Sequence, residues 1–547
     1  RQMCIRDRNM ETKRSREDNF LIAFLVVLCL YHMIARFGLA VDFQWHTDIG
    51  RDELFTPPHV MILAGMIPTS IMLVSYILWN SLISKNPEKN GFFIGPFIAP
   101  TSLWMMACGL ITLVVGGLYD DYWHISYGVD TMIITPPHIW TFAGGMLVEV
   151  ATLVLALQMR NRLKDAIPKW FNLVIIGTLW ALLYHFHLAF ANFLEPRAWF
   201  IEIFNFKIML HIIFAGASLI IFLPLADRLL GKNGALALCS LLLASQILLL
   251  AVVPILVESM MTSEHYFRPG SPHPIWAAQC LPWLLLPIFL ATKRYRLLQN
   301  PNRLVALVIV VDAVWLPTLI DYIPAEIGLF NTILSVVVSA IVLRGFVAFS
   351  QGFGAAIERL SANKMITLSK KSPSSAKISV VGVFLLLIFT PLASGHVIHL
   401  SEEGEGLDAP KRFLIDVNET YVWVEFMIWP PKALIETEVS ILPANNETSE
   451  ITNAWTVLVY PTEKDTVRMR TVFEDRNNHS IWNGQVKFPF SGNQTLEVWL
   501  DVDGQSSFTE IPVDVDSPPL LPVWLAWFLA ISWPTLMVLM WRNISHK

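Results

Sequence analysis

The chain has 547 residues, of which 54% are hydrophobic and 15% are charged, and its formal net charge is −5. Soluble domains carry about 25% charged residues, so this composition excludes an ordinary soluble protein and favours one that lies in a lipid bilayer. The weakly acidic balance gives no electrostatic basis for binding nucleic acid.

The first eight residues, RQMCIRDR, do not fit the pattern of the chain that follows. We expect residues 1–9 to be a non-native leader and Met10 to be the natural start, and we exclude the leader from reasoning about the fold.

Twelve apolar segments follow, and a helix of about 20 such residues crosses the roughly 30 Å of hydrocarbon in a bilayer. Two of the twelve are less regular: segment 276–292 is short, and segment 304–322 contains Asp312. The sequence predicts spans at 20–41, 58–79, 96–118, 138–158, 170–193, 203–225, 234–256, 276–292, 304–322, 326–348, 377–395 and 519–541.

Basic residues gather on alternate connections between these spans. Because Lys and Arg are retained in the cytoplasm, we expect both termini to be cytoplasmic and the protein to lie in the cell membrane. Seven clusters agree with this single topology, at 13–16, 85–89, 160–169, 228–232, 293–303, 359–377 and 542–547.

The polar segment 396–517 has a different pattern, in which apolar residues alternate over short runs such as TYVWVEFMIW and TLEVWLDV. Period-two runs separated by turn residues predict strands, and about seven of them favour an exterior antiparallel β-sandwich. The segment has no cysteine, which excludes a disulfide framework and a blue-copper thiolate ligand there.

The predicted fold class is therefore an all-α polytopic membrane protein of about twelve transmembrane helices, with an exterior antiparallel β-sandwich near the C-terminus. The Gly-, Ser- and Lys-rich stretch 350–376 separates the two parts as a cytoplasmic linker or short surface helix. The predicted units are a helical membrane domain at 10–349, the linker at 350–376, a span at 377–395, the β domain at 396–517, and a final span with a cytoplasmic tail at 518–547.

One motif occurs twice between early spans. It has the form D-x3-H-x5-D, then Thr-Pro-Pro, then a second His, and in each copy a Trp precedes the first His. The first copy is Asp42, Trp45, His46, Asp52 and His59; the second is Asp120, Trp123, His124, Asp130 and His138.

An Asp and a His four residues apart share one helix face, and Thr-Pro-Pro is a good helix start that places the second His in the first turn. One carboxylate and two imidazoles then form an open ligand set, typical of a redox metal. Asp52 and Asp130 are candidates for further ligands or for acceptors that orient an imidazole. Each set could instead be a helix cap with interfacial Trp45 or Trp123, but two matched copies favour metal binding.

The first copy, with Trp before the His, Arg51-Asp52 after it and Thr-Pro before the last His, closely resembles the C subunit of the copper membrane monooxygenases, the particulate methane and ammonia monooxygenases. The resemblance covers about residues 20–225. It implies copper ligands at Asp42, His46 and His59 and a second copper site at Asp120, His124 and His138. The family has Asn where this chain has Asp120, and an anionic ligand in place of a neutral amide favours a higher copper charge at the second site.

The resemblance also implies a function: O2-dependent hydroxylation of methane, ammonia or a short hydrocarbon. It implies quinol as electron donor, further subunits and a trimer. A rival from a different class is a non-catalytic membrane protein that binds or transports copper with the same ligands.

Other histidines are weaker candidates. His185 and His187 are two apart on one predicted span, so only one of them can join a given metal, and His211 begins a string that echoes the motif. His396 and His399 lie at the start of the exterior segment and are further copper candidates.

Overall fold

A computed structural model of the chain describes most of the membrane part and most of the C-terminal part. The described residues are 15–48, 56–84, 92–127, 135–191, 200–203, 206–209, 211–231, 233–260, 300–315, 329–362, 411–426, 429–444, 451–461, 466–475, 482–502, 504–519 and 521–546.

Within these described ranges, helices make up the membrane part, and seven helical segments are long and apolar enough to cross a bilayer. The helices are α1 (Arg16–Asp48), α2 (Pro57–Leu63), α3 (Met66–Leu78), α4 (Thr101–Tyr127), α5 (Pro136–Leu163), α6 (Asn172–Ala191), α7 (His211–Leu230), α8 (Gly234–Met260), α9 (Pro301–Trp315), α10 (Leu329–Ser361) and α11 (Val523–His546). The seven candidate spans are Arg16–Asp42, Pro57–Ile83, Thr101–Asp120, Pro136–Leu163, Lys169–His187, Gly234–Met260 and Phe330–Ser361.

The membrane character of the chain is thereby confirmed, while the full set of twelve spans stays a prediction. The predicted spans 276–292 and 377–395 lie outside the described residues. In the segment predicted as a span from 203, the helix begins only at His211, because the strands β3 (Phe200–Ile203) and β4 (Phe206–Met209) form a hairpin before it. Helix α10 extends into the stretch predicted as a linker or short surface helix and ends at Ser361, and residues 363–376 lie outside the described part.

Local sequence explains where α1 begins. Ser15 and Asp18 form a reciprocal capping box, in which the Asp18 amide donates to Ser15 Oγ and the Ser15 amide donates to Asp18 Oδ2, each at 3.0 Å. Such a box satisfies amides that the first helical turn leaves without partners. Arg162 Nε lies 3.1 Å from Asp18 Oδ1, so the start of α1 is tied to the end of α5.

Helices α4 and α5 form an antiparallel hairpin with a very close contact between two glycines. A Cβ atom placed on Gly144 would lie 2.8 Å from the Leu113 amide nitrogen and 2.9 Å from the Gly109 carbonyl oxygen. Small residues allow this approach of two helix backbones, which is typical of helix contacts in membranes. The contact fixes how the second copy of the motif is folded back on itself.

The strands of the C-terminal part follow a short hairpin of β1 (Phe92–Ile94) and β2 (Phe97–Ala99) that lies before α4. They are β5 (Lys411–Val417), β6 (Thr420–Phe426), β7 (Glu436–Pro443), β8 (Ile451–Pro461), β9 (Thr466–Val472), β10 (Glu474–Asp475), β11 (Trp482–Lys487), β12 (Gly492–Val502) and β13 (Gln505–Val515). Among the described residues they form two antiparallel sheets, with the strand orders β10-β11-β7-β6-β5 and β13-β12-β8-β9. Apolar residues from both sheets, among them Val424, Ile441, Leu458 and Val498, belong to one buried cluster.

Helix α11 returns from this part to the α4–α5 hairpin. The Trp140 indole donates to the Leu529 carbonyl, and the Trp533 indole donates to Thr112 Oγ1, both at 3.1 Å. The Leu521 amide donates to the Tyr122 hydroxyl at 3.1 Å. The chain that follows the last strand is therefore held against α4 and α5 from Leu521 onward.

Replacing Gly144 with Ala should destabilise the protein by about 1–3 kcal/mol, because the new methyl group meets backbone atoms that cannot move independently. The matched control is Gly345→Ala on α10, where an added Cβ meets nothing within 4 Å. Unfolding of both variants in detergent, compared with the wild type, measures the difference. Equal stability of the two variants would contradict the close glycine contact.

Candidate metal centre

The first copy of the motif lies on α1 and α2. Asp42 is in the last turns of α1, and His59 is in the first turn of α2, which begins with Pro57 directly after Thr56. The chain reverses between the two helices, and His59 Nε2 comes to 3.4 Å from Asp42 Oδ1. Both side chains are largely buried.

The second copy repeats this arrangement on α4 and α5. Asp120 lies near the end of α4, and His138 lies in the first turn of α5, after Pro136 and Pro137. His138 Nε2 is 3.5 Å from Asp120 Oδ1. Two separate stretches of sequence with the same motif thus produce the same carboxylate–imidazole pair.

The Thr135 side chain contacts His138 and does not cap α5. It occupies the position before the first turn of α5 but makes no side-chain cap hydrogen bond. Its hydroxyl instead lies 3.1 Å from His138 Nδ1. When Nδ1–H donates to the hydroxyl, the lone pair lies on Nε2, the nitrogen that faces Asp120. A hydrogen-bond partner at Nδ1 orients a metal-ligating imidazole whose Nε2 faces the ion.

The separation within each pair suits two ligands of one ion. For ligand bonds of about 2.0–2.2 Å at a tetrahedral angle, the two donor atoms lie about 3.3–3.6 Å apart. The observed 3.4 and 3.5 Å fall in this range and exceed the usual N–H···O distance of about 2.7–3.2 Å. The donor atoms present therefore fit a metal ion.

The remaining predicted ligands are placed only through the backbone. His46 follows Asp42 by one turn of α1, and His124 follows Asp120 by one turn of α4; their side chains lie outside the described part, as do Asp52 and Asp130 entirely. Among the described side chains, no group of three or more His, Cys, Asp or Glu residues is arranged to hold a metal ion. Each pair accordingly contains two of the three predicted ligands.

The two pairs share a cavity. Asp42, His59, Asp120 and His138 all line one space of about 130 Å³ between the two hairpins, whose wall also contains Phe142. Ions held by the two pairs would therefore face the same small volume.

A buried ionic cluster lines the same cavity. Glu149 on α5 has an exposed side-chain fraction of 1%, and its Oε2 accepts from His185 Nδ1 on α6 at 3.0 Å. Arg36 Nε on α1 lies 3.4 Å from Glu149 Oε1, and Arg36 is also buried. Buried charges in a membrane helix are costly unless paired, so this cluster joins α1, α5 and α6 at the site.

His32 extends the cluster on α1. Thr152 Oγ1 donates to the Val148 carbonyl at 2.8 Å, which leaves the hydroxyl oxygen to accept from His32 Nε2–H at 3.0 Å. His32 also lines the cavity. Neutral His32 therefore carries its proton on Nε2.

The weaker candidates are placed as follows. His187 Nδ1 lies 3.3 Å from Ser218 Oγ on α7, so it faces away from Glu149, the partner of His185. Trp45 and Trp123 are buried in the helical part. His211 is the first residue of α7 and its side chain is outside the described part, as are His396 and His399 entirely.

Sequence reasoning missed Arg36, Glu149 and His32. A signal was present, because each is an ionisable residue well inside an apolar span, and such residues mark functional sites. The sequence pattern did not show that the three side chains are neighbours in space, because they come from two helices separated by more than 100 residues.

Comparison with known proteins gives no further assignment: no family model, no curated protein and no solved structure matches this chain.

Replacing Thr135 with Val should weaken metal binding at the second pair by about 10–100-fold, because His138 loses the partner that orients it. Thr135→Ser keeps the hydroxyl and should bind as the wild type does. Titration of metal-free protein against a copper chelator measures both affinities, and the Asp42–His59 pair serves as an internal reference. An equal loss at both pairs, or no loss, would contradict this role of Thr135.

Proposed function

We propose that the chain is a copper-dependent membrane monooxygenase, or a subunit of one, which hydroxylates a small apolar substrate with O2. The observation that supports this most strongly is the pair of matched Asp–His sites lining one cavity. The resemblance of the two motifs to the C subunit of the particulate methane and ammonia monooxygenases supplies the reaction class.

The residues that would hold copper are Asp42, His46 and His59 in the first site, and Asp120, His124 and His138 in the second. Imidazole nitrogens suit copper, and an Asp with two His leaves coordination positions open. When bound, the metal would supply the redox chemistry that activates O2. The same ligand set also suits iron, so metal identity is part of the test.

The protein itself prepares the cavity for this chemistry. Thr135 orients His138, and the Glu149–His185 pair carries an oriented imidazole at the cavity wall. Leu39, Ile62, Leu113 and Phe142 give the cavity apolar surface, which suits a small molecule that arrives from the lipid. Asp120, in place of the family's Asn, adds negative charge and favours a more highly charged ion at the second site.

Orientation and assembly belong to the same proposal. We infer that both termini are cytoplasmic and that the β part lies outside as an antiparallel sandwich, since both sheets contribute to one apolar cluster. Helix α11, which follows that part in the chain, contacts α4 of the second site. Quinol as electron donor, further subunits and a trimer follow from the resemblance alone.

Metal analysis of protein purified in nanodiscs tests the proposal. The wild type should contain two copper ions per chain, and His59→Ala and His138→Ala should each lose one, because each removes a ligand from a different site. His187→Ala is a matched control, since that histidine faces Ser218; it should retain both ions.

Oxygen uptake with a quinol donor and methane, ammonia or a short hydrocarbon then separates an enzyme from a copper carrier. The proposal predicts substrate-dependent uptake that both site variants reduce strongly. Stoichiometric copper without uptake would favour the non-catalytic carrier. If the wild type contains zinc or no metal, the proposal of an oxygenase is wrong. If it contains iron, the metal of the proposed enzyme is iron and not copper.

A further inference from the structure

Helix α10 is the least buried of the seven candidate spans. Its outward face is an apolar stripe with one or two residues in each turn, and such a face lies against lipid or against another membrane helix. Arg344 is exposed in the same stripe, one turn after its fourth residue. The apolar residues of the stripe are Phe330, Ile333, Val337, Ile341 and Phe349.

Arg344 lies about halfway across the membrane. Phe330 and Glu358 are each fourteen positions away on α10, which corresponds to about 21 Å along the helix axis. Glu358 marks the aqueous side, because it pairs with Arg228 while their side chains are 42% and 44% exposed. A bilayer with its headgroups is about 40–45 Å thick, so Arg344 falls near its centre. Basic side chains reach the headgroups from positions near helix ends, and this position is far from both ends.

Within the described part of the chain, Arg344 makes no hydrogen bond or ion pair. Arg36, by contrast, is buried inside α1 and lies 3.4 Å from the Glu149 carboxylate. Charges inside a membrane are expensive, and ionisable residues there pair with one another or face a polar partner. The exposed guanidinium of Arg344 therefore points to a carboxylate that comes from outside the described chain.

A second copy of the chain is a poor source of this carboxylate. The described carboxylates inside the spans, those of Asp42, Asp120 and Glu149, are all buried in the helical part. Contact between the α10 faces of two copies would also bring two Arg344 guanidinium groups together. These charges favour a different membrane protein as the partner.

We propose that the outward face of α10 binds a transmembrane helix of another membrane protein, and that this helix presents an Asp or Glu to Arg344. A guanidinium and a carboxylate form two parallel charge-assisted hydrogen bonds. The neighbouring Gly345 leaves room for a close approach, since a Cβ placed there meets nothing within 4 Å. Helix α10 lies outside residues 20–225, which carry the family resemblance, so this interface does not depend on the proposed function.

The probe is a synthetic transmembrane peptide of Leu and Ala with one central Glu, and matched peptides carry Gln or Leu instead. The full chain and one peptide are reconstituted in phosphatidylcholine liposomes. Energy transfer from the tryptophans of the chain to a dansyl group on the peptide reports binding. The wild type should bind the Glu peptide saturably and the Gln peptide at least about fivefold more weakly, as expected for the loss of one interhelical polar contact. The Leu peptide should give only the linear signal of random encounters.

Arg344→Leu should lower the affinity for the Glu peptide to that for the Gln peptide, while Arg344→Lys keeps the charge and should retain most of the binding. The matched control is Arg359→Leu on the same helix, because Arg359 is exposed beside Glu358 on the aqueous side; it should change nothing. Gly345→Leu keeps the charge but adds bulk beside it, so it should also weaken binding of the Glu peptide. This variant tests the interface even if Arg344→Leu fails to fold.

Absence of saturable binding by the wild type would overturn the proposal, and that result is expected if Asp312 on the neighbouring α9 neutralises Arg344. Equal affinities for the Glu and Leu peptides would also overturn it, because the charge would then have no part in binding. Energy transfer between two labelled copies of the chain that Arg344→Leu abolishes would show that the occupant is a second copy, which contradicts the proposal.

Discussion

Glu149 is the group on which the geometry of the cavity depends. Its carboxylate accepts from His185 on α6 and pairs with Arg36 on α1, while Glu149 itself lies on α5. Three helices from different parts of the chain are thereby joined inside the membrane part. The join places the end of α1, with Asp42, against the hairpin that contains Asp120 and His138.

The two Asp–His pairs follow from one local rule used twice. A helix ends shortly after an Asp, the chain reverses, and Thr-Pro-Pro starts the next helix with a His in its first turn. Each pair is then closed by hairpin geometry, at 3.4 and 3.5 Å. The second hairpin is tightened further by the contact of Gly109 with Gly144. Local sequence therefore sets each pair, and the packing around Glu149 sets their common cavity.

This division explains what the sequence could predict. The helix starts at Thr-Pro-Pro, the Asp–His proximity and the membrane character all follow from short-range patterns, and the structure places Asp42 beside His59 and Asp120 beside His138. The cluster of Arg36, Glu149 and His185 depends on which helices are neighbours, and periodicity within a span does not contain that information. The hairpin β3–β4 was not predicted for a different reason: its apolar residues fit the pattern of a membrane span, so they were assigned to the start of the next span.

The β part shows the same limit on a larger scale. Alternating residues predicted strands such as β6 and β12, and both are present. No motif in the sequence predicted that α11 packs on α4 and α5 through Trp140 and Trp533. This packing places α11 against the hairpin that contains Asp120 and His138.

If both Asp–His pairs face one small cavity and each binds an ion, the two ions must lie close together. Electron paramagnetic resonance of protein loaded with two divalent copper ions measures this proximity. We expect a dipolar interaction between the two ions, seen as a half-field transition that is absent when only one ion is bound. A spectrum that is the plain sum of two isolated copper centres would contradict a shared cavity.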